Sequence, residues 1–272
     1  MSAAYSDRDA VIVGAVRTPV GKGKANGALH DVLPVDLLAH SLREIVERTG
    51  VDPAQVDDVI AGAVTQVGDQ SMNIARNALL GAGLPESVPG TTVDRQCGSS
   101  QQAISFAAQG VLAGAYDVVI AAGVESMSRV VMGSSILPGS DPFGAGMAER
   151  YPEGLVPQGI SAELIAAKWG LSRTELDEFS ASSHEKAARA TKDGLFANEL
   201  APIAGLSTDE IIRPGTSIET LAGLKPAFYT DAYAARFPQI NWEITPGNSS
   251  PLSDGSAAVL ITSGAAAKKL GL

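Results

Sequence analysis

A single cysteine, Cys97, stands among 272 residues, so the chain has no second thiol with which to form an internal disulfide. Histidine is nearly as scarce: His30, His40 and His184 are far apart and, with that one cysteine, offer no spacing of a zinc site. Basic side chains number 20 against 30 acidic ones, and the formal charge of −10 opposes nonspecific attachment to nucleic acid or anionic membrane. A local basic pocket for a phosphorylated small molecule is compatible with that total. No uninterrupted apolar run approaches the roughly 18 residues of a membrane helix. The opening MSAAYSDRDAVIVG also lacks a basic segment followed by a long apolar one. Together these absences read as a soluble, untargeted protein of the reducing cytoplasm, with no metal, nucleic acid or membrane partner.

What is present is the composition of a folded chain, with 45% hydrophobic residues and length enough for a sizeable core. AVIVGAV (10–16), DDVIAGAV (57–64), PGTTVD (89–94), DVVIAAGVES (117–126) and AAVLIT (257–262) read as strands. Between them, Leu38, Leu42, Ile45 and Val46 recur at helical spacing until Gly50, NIARNALLGAGL reads as a helix ending in glycines, and a small-residue helix runs to about Ala113. Strands alternating with helices, each strand apolar throughout, imply an α/β layered core with a sheet covered on both faces. Past Met127 a glycine- and proline-rich run without period begins, helices are expected over 161–169 and 174–193, and 196–242 is again irregular. The expected organisation is a core of 1–127 with 251–272, interrupted by an inserted lobe of 128–250. The final helix, from Ser263, reads as one that begins and is cut off at Leu272.

Cys97 heads the small-residue helix in VDRQCGSSQQA. A helix N-terminus favours an anion such as a thiolate, because unpaired N–H groups point toward it. Strand, sharp turn, nucleophile and helix form the mechanical plan of a nucleophile elbow. Gly98 would let a carbonyl approach the main chain, with the Cys97 N–H as an oxyanion donor. A lone cysteine is also among the most buried residue types and often packs as a small hydrophobe.

VDRQCGSSQQA, AAGVESMSRV, RPGTSIETLAGLKPAF and TPGNSSPLSDGSAAV, in that order, together resemble the signature segments of the thiolases, the acetyl-CoA acetyltransferases and 3-ketoacyl-CoA thiolases. RTPVGKGKANGAL resembles that family's first strand and loop. The resemblance implies a thiolase-like layered α/β core domain with an inserted, CoA-binding loop domain. It implies acyl transfer with Cys97 as the nucleophile that carries the acyl group, either thiolytic cleavage of a 3-ketoacyl-CoA or the reverse Claisen condensation, in fatty-acid or related CoA-ester breakdown. Coenzyme A is then a co-substrate rather than a resident cofactor, and the full-length protein a homodimer or homotetramer. Arg213 matches a basic residue at the nucleotide end of CoA, Thr220 and Phe228 match positions that touch CoA by hydroxyl and ring, and Ser250 matches a serine near the pantetheine arm. Taken singly, these four would be a solvated arginine, a helix cap, a core aromatic and a turn serine.

Two departures accompany the resemblance. Complete thiolases have a second half that supplies an Asn-Glu-Ala-Phe segment, a Gly-His-Pro segment whose histidine activates the nucleophile, and a second cysteine as acid and base; none is in this sequence. The expectation is a truncated enzyme, or one half of a two-chain thiolase, incomplete for turnover. Pro157 and Gln158 stand where many short-chain acetoacetyl-CoA thiolases have His-Met, which leaves longer acyl chains open. Alternatives are a noncatalytic CoA-binding or subunit-interaction module and, disfavoured by RPGTSIETLAGLKPAF, a β-ketoacyl synthase relative. Lys22 and Lys24 lack P-loop spacing, His184 reads as a solvated residue on a polar helix face, and Glu125 as a structural turn carboxylate.

Overall fold

A computed structural model describes residues 6–272; the first five residues, part of the opening segment read as free of a targeting signal, lie outside the described residues. The chain divides into two units, one of Met1–Ser135, Phe196–Ile211 and Leu252–Leu272, the other of Ile136–Leu195 and Ile212–Pro251. Among the described residues no helix is long and apolar enough to cross a membrane.

The strands are β1 (Ala10–Arg17), β2 (Gly21–Lys22), β3 (Asp58–Gly62), β4 (Gly90–Val93), β5 (Val118–Ser126) and β6 (Ser253–Ser263). They form one mixed sheet in the order β1-β6-β5-β3-β4, with β2 paired to β6. β6 runs antiparallel to β1 and β5, whereas β3 is parallel to both β4 and β5. The helices are α1 (Pro34–Thr49), α2 (Ile74–Gly81), α3 (Ser99–Ala113), α4 (Gly144–Arg150), α5 (Gln158–Trp169), α6 (Arg173–Lys192), α7 (Ile218–Ala222), α8 (Asp231–Arg236) and α9 (Gly264–Leu270).

In the first unit, α1 starts on Pro34, buries Leu37, Leu38, Leu42 and Ile45, and stops where Gly50 adopts φ 70°. These side chains join Val59, Ala61, Ile120 and Leu260 in the larger core on one face of the sheet. On the other face Ile60, Val119, Ala121 and Ile261 meet Ala103, Ala107 and Val111 of α3. Neighbouring residues of β3 and β5 thus feed opposite cores, which is why these strands read as continuous apolar runs rather than alternating ones. β1, at the edge, is covered less: Ile12 is 65% exposed.

Two expectations need correction. Phe196–Ile211, assigned above to the inserted lobe, belongs with the first unit. The Arg17 N–H donates to Glu199 O, the Ala201 N–H donates to Arg17 O, and the Arg17 guanidinium holds Glu199 and Asp209, each at 2.7 Å. The final helix is not cut off: Ser263 caps its start by accepting the Ala266 N–H at 3.1 Å, and Gly271 at φ 71° closes its end. A left-handed glycine next to the last residue is a regular helix terminator, so Leu272 lies past a finished element.

The second unit contains no strand among its described residues. Its buried apolar side chains are few, among them Ile160, Ala166, Leu221 and Ile244, and buried polar groups supply much of the cohesion. Glu163, 1% exposed, accepts the backbone N–H groups of Glu243 and Ile244, each at 2.9 Å. α6 opens with a capping box between Ser172 and Glu175. α7 and α8 are single turns begun by Ser217 and Thr230, too short to show a period, so this stretch reads as irregular in sequence.

Candidate functional site

Cys97 lies in the turn between β4 and α3. Gln96 takes φ 48°, a left-handed conformation rare outside glycine and asparagine. The turn is tied from within: the Gln96 N–H donates to Asp94 Oδ1 at 2.7 Å and the Gly98 N–H to Arg95 O at 3.1 Å. Ser99 Oγ donates to Gln96 O at 2.6 Å while accepting the Arg95 N–H at 2.9 Å. Asp94 and Ser99 therefore hold the left-handed residue before the cysteine from both of its backbone groups.

Two glycines in the sheet let that turn sit where it does. Gly62 of β3 and Gly123 of β5 are register partners. A Cβ on Gly62 would come within 2.3 Å of Ser100 N, and one on Gly123 within 1.8 Å of Ser100 Oγ. The first turn of α3 rests on bare backbone at both positions, which no other residue type permits. Both glycines are visible in DVIAG and AAGVES, but only strand register shows that they face one helix.

Cys97 is exposed in this chain. Its backbone N–H has no acceptor among the described residues and remains available to an incoming oxygen. Among the described residues of the first unit no histidine hydrogen-bonds it: His30 Nδ1 lies 3.1 Å from Ser128 Oγ and His40 Nε2 lies 3.3 Å from Ala201 O.

In the second unit, His184, Arg213, Thr216, Thr220, Leu221, Leu224, Pro246 and Gly247 line a cavity of about 240 Å³. Arg213 and Thr220 are thus brought together, and the Arg213 guanidinium has no ion pair among the described residues. Phe228 lies elsewhere, its ring against Gly159 of α5, where a Cβ would meet it at 2.4 Å. Ser250 is exposed and outside the cavity lining. His184 departs from the solvated reading: its Nδ1 accepts the Arg213 N–H at 3.2 Å. Pro157 and Gln158 open α5 as its cap and first residue.

The remaining polar loops are self-contained. Glu210 closes the Lys22–Ala28 loop by accepting the N–H groups of Lys22 (2.9 Å) and Ala28 (3.0 Å), which hold its carboxyl below the usual range. Glu125 accepts from Val64 N, Thr65 N and Gln70 Nε2, as a turn carboxylate would. Among the described residues no three His, Cys, Asp or Glu side chains converge as metal ligands.

Comparison with known proteins bears on both units. Residues 10–265 match the family described as "Thiolase, N-terminal domain". The steroid 3-ketoacyl-CoA thiolase FadA6 of Mycobacterium tuberculosis is 42% identical over 275 residues, which cover 97% of this chain and 64% of that protein. A 3-ketoacyl-CoA thiolase of Erwinia tasmaniensis is 41% identical over 96% of this chain and 66% of its own length. The crystal structure of the Bacillus anthracis acetyl-CoA acetyltransferase superposes with a TM-score of 0.82 at 37% identity, covering 97% of this chain and 68% of that one. The chain therefore spans about two thirds of the length of the relatives it matches, with a mixed α/β layered fold in common. It belongs to the thiolase family, of which it comprises the N-terminal domain.

Proposed function

We propose that this chain supplies the acyl-carrying thiol and the CoA-binding lobe of a 3-ketoacyl-CoA thiolase. The observation that carries the reading is the placement of Cys97: exposed, after a left-handed residue, before a helix seated on two register-paired glycines, in a chain about 40% identical to 3-ketoacyl-CoA thiolases.

In the thiolytic direction the Cys97 thiolate adds to the 3-keto carbon, and the carbonyl electron pair moves onto oxygen, where the Cys97 N–H can donate to it. Collapse of that oxyanion breaks the C2–C3 bond and leaves the acyl group on Sγ as a thioester. The departing carbanion takes a proton from solvent water and leaves as acetyl-CoA, and solvent takes the proton that the second CoA thiol loses. A second CoA thiolate then attacks the thioester, releasing the shortened acyl-CoA and restoring the Cys97 thiolate. General acid and base groups are worth about 10²- to 10⁴-fold in such steps. None is hydrogen-bonded to Cys97 among the described residues, so the first acylation by this chain is expected to be slow.

In this reading Arg213 meets the nucleotide end of CoA, Thr220 and Phe228 touch CoA by hydroxyl and ring, and Ser250 lies near the pantetheine arm. The core of 1–127 with 251–272 carries the chemistry and the insertion carries the ligand, with 196–211 reassigned to the core. CoA thioesters are the substrates, breakdown of CoA esters in the cytoplasm the setting, and a homo-oligomer the full-length form. Incubation with a 3-ketoacyl-CoA should add an acyl mass to Cys97, located by peptide mass spectrometry. Absence of the adduct, under conditions where iodoacetamide does label Cys97, would refute catalytic competence. CoA binding without any adduct would instead favour a binding module that does not turn over, a reading consistent with the lack of a histidine at the thiol.

A further inference from the structure

The cavity of the second unit is walled by three stretches, and each is tied to one stripe of α6. Arg173 donates to the carbonyls of Leu221 and Leu224, at the end of α7 and just beyond it. Asp177, 1% exposed, takes Arg173 Nε at 2.7 Å on one oxygen and Asn248 Nδ2 at 3.0 Å on the other. Asn248 in turn accepts the Thr245 N–H at 2.7 Å, and so fixes the Pro246–Gly247 turn. His184 Nδ1 accepts the Arg213 N–H at 3.2 Å. Positions 173, 177 and 184 are about one and two helical turns apart, which places them on one side of α6.

The third tether differs from the other two. The Leu221–Leu224 and Pro246–Gly247 stretches also pack on each other: a Cβ on Gly247 would lie 2.5 Å from Leu221 and 2.6 Å from Leu224. The Arg213 turn is closed locally by the Thr216 hydroxyl and N–H, both donating to Arg213 O. Among the described residues its one hydrogen bond to α6 is the one that the Arg213 N–H donates to His184 Nδ1. Because a backbone N–H can only donate, Nδ1 must be the bare nitrogen and Nε2 the protonated one.

We infer that His184 is a positioning residue for nucleotide recognition: its Nδ1 anchors the backbone of Arg213 so that the unpaired guanidinium is held at the cavity wall. This rests on the CoA reading given above. The variants His184→Asn and His184→Leu separate positioning from packing, since an asparagine Oδ1 can replace Nδ1 as acceptor and leucine cannot. Calorimetric titration of the whole chain with CoA and with adenosine 3′,5′-bisphosphate should show about five-fold weaker binding for H184L, the loss expected from one hydrogen bond. H184N should stay within about two-fold of the parent on the same grounds. Arg213→Ala should weaken binding too, and adding H184L to it should cost nothing more, because the two act as one unit. Amide exchange at Arg213 should speed up in H184L alone, with the melting temperature unchanged. Equal affinities for parent and H184L would overturn the assignment while leaving the CoA reading intact, whereas a parent that binds neither ligand would overturn both.

Discussion

The two units hold their candidate site residues by opposite means. In the first, apolar side chains on both faces of β3 and β5 fix a sheet, and Cys97 is placed by what is missing: side chains at Gly62 and Gly123. In the second, with little apolar burial, polar side chains capture backbone N–H groups: His184 that of Arg213, Ser217 that of Thr220 and Glu163 that of Ile244. Packing is tolerant of which apolar residue fills it but intolerant of added bulk. Hydrogen bonding to buried N–H groups fails when a single acceptor is lost. The position of Cys97 is therefore sensitive to atoms gained, and the second unit's to partners lost.

The contrast can be broken by substitution. Leu38→Ala, at a fully buried position of α1, should lower unfolding free energy by about 3 kcal/mol in denaturant titration. Gly62→Ala should cost about 2 kcal/mol and also slow alkylation of Cys97, because backbone of α3 must retreat to admit the methyl group. If alkylation of Cys97 is unchanged, the seating of α3 on the glycine pair does not set the thiol's position. Glu163→Ala should cost about 2 kcal/mol by leaving two N–H groups without an acceptor. Faster amide exchange should be confined to the second unit. Ser172→Ala, which removes the α6 cap, should cost about 1 kcal/mol.

The gentlest test is a pH series on Glu210→Gln. The Glu210 carboxyl is held below its ordinary value by the N–H groups of Lys22 and Ala28. Its ionised form therefore stabilises the fold above the unfolded carboxylate range, and that contribution fades as pH falls through the lowered value. Parent and variant should differ most near neutral pH and converge in acid. A gap that widens on acidification would show that the loop is held by something else.

The order of strands and helices was legible because β3, β5, α1 and α3 carry strong apolar patterns in long enough runs. Short helices such as α7 escaped because one capped turn has no period to detect. The assignment of Phe196–Ile211 was missed for another reason: its attachment depends on Arg17, about 180 residues away, and no local pattern encodes such a pairing. His184 was misjudged in the same way. On a polar helix face it looks solvated, and only the return of the chain at Arg213 gives its Nδ1 a partner.

By itself the sequence determined the family and the longer strands and helices of the core, and it singled out Cys97 as the candidate nucleophile, because these rest on residue identity and local spacing. Tertiary structure alone decided that Cys97 is exposed, that Gly62 and Gly123 lie under the same helix, and that α6 tethers the walls of the cavity. Each of those depends on strand register or on contacts between distant segments. The free energy of such contacts exists only once loop closure has brought the segments together.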